Sequence, residues 1–180
     1  ESKNVVLVLP EVFGVNSWVR SVVDRLAEQG IPALAMPLFA RSAPELDLGY
    51  TDDDLVEGRR HKEQTTAQQI LDDASSALGW LRQQYSQSKI TVVGFCFGGH
   101  AALITSTLPD VDITFDFYGA GVATTRPGGG PPSLELLSQT SGKLTCICGT
   151  GDPLIPEADR TSIQQALREK DPSEIRLSYL

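Results

Sequence analysis

A chain of 180 residues with 41% hydrophobic content is long enough to bury one sizeable core, and no shift in composition marks off a second domain. The net charge of −8, with its signs scattered, speaks against nucleic acid or an anionic membrane as a partner, and no apolar run is long enough for a spanning helix. The opening ESKN has no signal-peptide pattern, and Cys96, Cys146 and Cys148 form an odd set without metal-ligand spacing. A cytoplasmic location fits best, because a working free thiol is vulnerable in an oxidising compartment.

Residues 4–10 (NVVLVLP) make a near-continuous apolar run closed by proline, the pattern of a strand buried on both faces in a parallel sheet. Glu11 follows directly. Asn16 is placed to cap a helix in which Val19, Val22, Val23 and Leu26 recur at helical spacing, with Gly30 as its stop. The next strand is expected over 32–36. Residues 37–58 are polar, contain Asp52, Asp53 and Asp54, and lack sustained periodicity, so they read as a long excursion over the sheet edge. Within 65–85 lies the strongest helix, because Ala67, Ile70, Leu71, Ala74, Leu78 and Leu81 share one stripe. Further strands are expected over 89–93, 112–118, 143–148 and 174–180, and a helix over 158–170 with Ile163, Ala166 and Leu167 inward. Cys146 and Cys148, two apart on one strand face, read as core residues. Between 119 and 142 the run Pro127 to Pro132 (PGGGPP) forbids a regular helix or central strand and predicts a mobile loop over the site.

The most informative stretch is KITVVGFCFGGH (89–100), where a β-branched run enters Gly94-Phe95-Cys96-Phe97-Gly98-Gly99 and then helix-compatible Ala101 to Ile104. Strand, sharp turn and helix in this order are the signature of a nucleophile elbow, with cysteine in place of the usual serine. A side chain at Gly94 or Gly98 would collide with the neighbouring strand or helix. At the first turn of a helix the dipole and free N–H groups favour a thiolate, so Cys96 is poised to attack. The alternative is a small buried cysteine in a tight turn.

Strands alternating with helices imply a doubly wound α/β sheet in one domain spanning 1–180, with helices on both faces. Ligands in such sheets bind beyond the carboxyl ends of the strands, and Glu11, Cys96 and Asp152 each stand just past one.

Three segments, PEVFGVN (10–16), GFCFGG (94–99) and GTGDPLIP (149–156), occur in an order and spacing that resembles the dienelactone hydrolase family of α/β-hydrolases. The resemblance implies a mostly parallel α/β-hydrolase sheet that lacks the usual first two strands and the segment after the last. It further implies that Cys96 attacks a carboxylic ester or lactone and forms a thioester. Glu11 would hold the thiol at rest and take its proton, Asp152 would orient a histidine, and the backbone N–H groups of Val12 and Phe97 would form the oxyanion hole. No metal or organic cofactor is implied, and the partner is a small, anionic ester or lactone. The protein itself is expected as a monomer or weak homo-oligomer. A family position that anchors the substrate carboxylate is matched by Lys62, with Arg60 close by, and family aromatic positions are matched by Thr66 and Gln69, which predicts a more polar pocket. Each residue also has a plainer reading. Glu11 could be a solvated residue opening a loop, Asp152 an Asp-Pro turn former, and Lys62 and Arg60 a solvated helix start. Neither His61 nor His100 follows the last strand, so both are expected in structural roles and the catalytic histidine is expected beyond Leu180. A non-enzymatic relative that binds a ligand or senses thiol chemistry is the alternative function.

Overall fold

Val5, Leu7 and Leu9 alternate with Val6 and Val8 along β1 (Asn4–Leu9), and both sets are buried, so this strand is covered on its two faces. The computed structural model describes residues 2–180. Its sheet has six parallel strands in the order β2-β1-β3-β4-β5-β6: β2 (Ala33–Ala35), β3 (Lys89–Phe95), β4 (Ile113–Phe117), β5 (Lys143–Ile147) and β6 (Leu177–Tyr179) join β1. Val6 and Val8 pack under α1 (Ser17–Glu28) through Val19. Val5, Leu7 and Leu9 pack on the other face against α3 (Ala67–Gln84), whose Ile70, Ala74, Leu78 and Leu81 are buried. Each fully buried leucine or isoleucine contributes about 1.5–3 kcal/mol. Leu167 and Ile163 of α5 (Glu157–Lys170) close a second cluster with Leu144 and Leu177.

The helix signals act as expected at α1, where the Asn16 side chain accepts the Val19 N–H and Gly30 adopts a left-handed φ of +72°.

Residues 37–58 depart from the expected excursion, because α2 (Asp52–Glu63) forms inside and beyond them. Its apolar face is thin, which is why periodicity is silent. Its ends carry it instead: the Asp54 carboxylate accepts the Thr51 N–H (3.0 Å), the Thr51 hydroxyl accepts the Asp54 N–H (3.2 Å), and acids at the start face bases at the end. The expected mobile loop over 119–142 is also corrected. It is tied down by tertiary contacts, and residues 133–139 form a 3-10 helix that buries Ser133 and Leu137. The run 128–131 at its tip is exposed. The last strand is shorter than expected because the Asp171 carboxylate holds 171–177 in a turn, accepting the N–H groups of Arg176 (2.6 Å) and Leu177 (2.9 Å).

Candidate active site

Cys96 stands between β3 and α4 (Phe97–Thr105) at φ 55° and ψ −119°, a conformation that an L-residue adopts only under constraint. The constraint is close packing. A Cβ on Gly94 would strike the Gly98 carbonyl, and one on Gly98 would strike the carbonyls of Leu9 and Pro10. The Cys96 N–H donates to the Phe117 carbonyl (3.0 Å), and its own carbonyl accepts the His100 N–H (3.1 Å), so the residue is held from both sides. Burial pushes the thiol up. The Phe97 N–H and Lys62 oppose that shift, while Glu11 and Asp152 add to it. The helix start favours the thiolate, desolvation opposes it, and on balance the thiol is pushed up.

The same balance places Glu11, Lys62 and Asp152, from three remote parts of the chain, within electrostatic reach of one sulfur. Glu11 follows β1, and its carboxylate accepts the hydroxyls of Tyr50 (2.9 Å) and Tyr118 (3.5 Å). Asp152 follows β5, and one of its oxygens accepts the Leu154 N–H (2.8 Å), so it shapes its own turn. A cavity of about 270 Å³ opens over Cys96, lined among others by Val12, Arg59, Lys62, Phe97, Thr125 and Leu154. Gly58 lets α2 lie against the Val12 carbonyl, which brings Arg59 and Lys62 to the cavity. The Lys62 ammonium stands 5.6 Å from the centre of the Phe97 ring.

A sequence model described as the dienelactone hydrolase family matches residues 1–177. The chain belongs to the dienelactone hydrolase family. A Synechocystis sp. protein named "Putative carboxymethylenebutenolidase" is 36% identical over 165 residues, 91% of this chain and 67% of that protein. The carboxymethylenebutenolidase of Pseudomonas putida is 32% identical over 125 residues, 66% of this chain and 51% of that enzyme. The chain thus spans between about half and two-thirds of the length of these relatives. Among solved structures, the "Putative Dienelactone Hydrolase" of Klebsiella pneumoniae subsp. pneumoniae shares the fold with a TM-score of 0.80 at 21% identity, covering 98% of this chain and 72% of that one. The α/β-hydrolase architecture is therefore that of the dienelactone hydrolases.

Within this family frame, three positions differ from the sequence reading. Arg60 is not at the cavity; it pairs with Glu57 (2.6 Å) on the solvent side of α2, and Arg59, one residue earlier, lines the cavity instead. Thr66 and Gln69 close the start of α3 on each other, the Gln69 carbonyl oxygen accepting the Thr66 N–H (2.9 Å), and neither lines the cavity over Cys96. Leu55 and Leu154 do, so the wall is less polar than the matched positions suggest. Both tyrosines on Glu11 also escape the sequence reading. Tyr118 had a signal, since it stands directly beyond the end of β4, and its φ of 44° turns it toward the rim. Burial, Glu11 and Cys96 push its phenol up. Tyr50 lies in an irregular stretch with no such signal.

Both histidines are spoken for. His100 is buried, with Nδ1 at 3.0 Å from the Ala120 carbonyl and Nε2 at 2.7 Å from the Ser133 hydroxyl, and burial pushes it down to about 4. His61 is buried too, between the Ser42 hydroxyl (2.9 Å) and Glu57 (3.0 Å). Among the described residues no helix is long and apolar enough to cross a membrane.

Proposed function

We propose that the protein hydrolyses a small, anionic carboxylic ester or lactone through a Cys96 thioester. The observation that carries this reading is the convergence of Glu11, Lys62 and Asp152 on a strained, half-buried cysteine beside a cavity. In the resting site the proton stays on sulfur. When substrate displaces the Tyr50 or Tyr118 hydroxyl from Glu11, the freed carboxylate takes the thiol proton and the sulfur adds to the ester carbonyl carbon. The Phe97 N–H, already directed at the sulfur, and the Val12 N–H receive the developing oxyanion, a contribution on the order of 3 kcal/mol per donor. Collapse expels the alcohol, and water then cleaves the thioester. Asp152 would orient a catalytic histidine, a role that neither His100 nor His61 is free to fill, since both have their ring nitrogens engaged. Lys62 meets the substrate anion as a point charge. An ester or lactone suits a sulfur nucleophile better than an amide, because the thiolate is expelled more readily than an amine.

The protonated thiol and the two engaged histidines favour one other reading, a ligand-binding or thiol-sensing relative without turnover. Incubating the full-length protein with p-nitrophenyl acetate separates the two. Steady turnover that Cys96→Ala and Cys96→Ser abolish supports the hydrolase, and neither turnover nor a burst of p-nitrophenol sinks it.

A further inference from the structure

Tyr118 reaches Glu11 from an unusual backbone. Its φ of 44° is left-handed, a conformation that a residue with a side chain keeps only when its surroundings hold it there. Three hydrogen bonds do so, one on each residue of the turn: the Phe117 carbonyl accepts the Cys96 N–H (3.0 Å), the Tyr118 N–H donates to the Ile147 carbonyl (2.8 Å), and the Gly119 N–H donates to the Asp116 carboxylate (2.9 Å). The first two join backbone to backbone, and the third depends on one side chain. Asp116 is 2% exposed, and its Oδ1 occupies the space that a Cβ on Gly99 or on Gly119 would need, so the carboxyl is wedged between this turn and the first turn of α4. No step of the hydrolysis uses it. The Tyr118 hydroxyl donates to one oxygen of Glu11 (3.5 Å) while the Tyr50 hydroxyl donates to the other (2.9 Å), and the charges of Glu11 and Cys96 both act on the Tyr118 phenol.

We propose that Asp116 is a positioning residue for the base: by fixing the Gly119 N–H it holds the turn that keeps the Tyr118 hydroxyl on Glu11, and so keeps that carboxylate from the Cys96 thiol until substrate displaces the phenol. The assignment rests on the reading in which Glu11 takes the thiol proton. It sets up a line of dependence from Asp116 through Tyr118 and Glu11 to Cys96, and each link can be cut separately.

The test follows alkylation by iodoacetamide at neutral pH in the full-length protein, read by mass spectrometry on the Cys96 and Cys146 peptides. Tyr118→Phe is expected to raise the Cys96 rate about threefold, the loss of one weak hydrogen bond. Asp116→Ala should raise it as much, whereas Asp116→Asn, which keeps an acceptor for the Gly119 N–H, should leave the parent rate. Asp116→Ala added to Tyr118→Phe should raise it no further, because both cut the same line. In a Glu11→Gln background both increases should vanish. The positioning role is overturned by additive effects of the two substitutions, by an Asp116→Ala rate equal to the parent's, or by an equal rise at Cys146, which stands opposite Asp116 on β5 and reports general loosening. Should Asp116→Ala not fold, Asp116→Ser takes its place with the same expected rise, and failure of both to fold reduces Asp116 to a structural residue. Increases that persist in Glu11→Gln overturn the role together with Glu11 as the base, and the p-nitrophenyl acetate assay judges the hydrolase reading separately.

Discussion

Two glycine-rich stretches meet at the cavity, the elbow around Cys96 and the wall over 119–142, and they are ordered by different means. In the elbow, glycine allows contact: Gly94 and Gly98 are pressed against backbone carbonyls, and no side chain fits. In the wall, Gly129 and Gly130 have nothing within 4 Å, and their φ values of 97° and 99° let the chain bend in open space. The elbow is held by neighbours in sequence and by β1 beside it. The wall is held by partners far along the chain: Ser133 on His100, the Pro127 carbonyl on the Ala67 N–H (2.7 Å), and Leu137 in the second core cluster. Glycine content therefore reports backbone freedom and leaves open whether distant contacts remove it.

The sharpest way to break the contrast is Gly98→Ala. The new methyl group has only backbone to displace, so we expect a loss of several kcal/mol of stability, on the order of 4, and little folded protein in a thermal melt. A variant that melts within a few degrees of the parent would show that the elbow can yield. Next in size is Ser133→Ala in the wall, which leaves a ring nitrogen of His100 buried and unpaired, at a cost of about 1–3 kcal/mol in denaturant unfolding. A neutral result would mean that the wall does not depend on that bond.

The smallest expected effect concerns the residue between the two stretches. Asp116 of β4 is buried under both, accepts the Gly119 N–H (2.9 Å), and is pushed up to about 7 by burial. Its protonated form belongs to the folded state, so its contribution is present below the ordinary carboxylate range and is lost as the pH rises toward 7. His100, pushed down to about 4, acts in the opposite sense: its contribution is present above its ordinary value and is lost as the pH falls toward 4. The two slopes oppose each other over about pH 4.5–6.5. Asp116→Asn keeps the acceptor and removes one slope, so unfolding free energy should then rise with pH there, by at most about 1.4 kcal/mol per pH unit. Identical pH profiles for variant and parent would refute the account.

Much of the fold was readable because the signals are local. The six strands, the Asn16 cap, the stripe of α3 and the elbow each depend on residues that are adjacent or one helical turn apart. The helix α2 was readable in principle from Thr51 and Asp54, though its apolar face is too thin to show. Of the candidate site, Glu11, Cys96 and Asp152 stand out because each follows a strand, and topology sends those ends to one rim. That rule says nothing about side chains arriving from irregular segments. Tyr50 is of this kind, and Arg59 comes from α2, the helix whose thin apolar face hides it.

Residues close in the chain carried their own instructions for backbone shape, since steric limits and capping bonds act over a few positions. Which of two neighbouring arginines faces the cavity, whether a Pro-Gly run is tethered, and in which direction burial pushes a thiol at a helix start were decided by packing. Each depends on how much water is excluded by parts of the chain that meet only once it is folded.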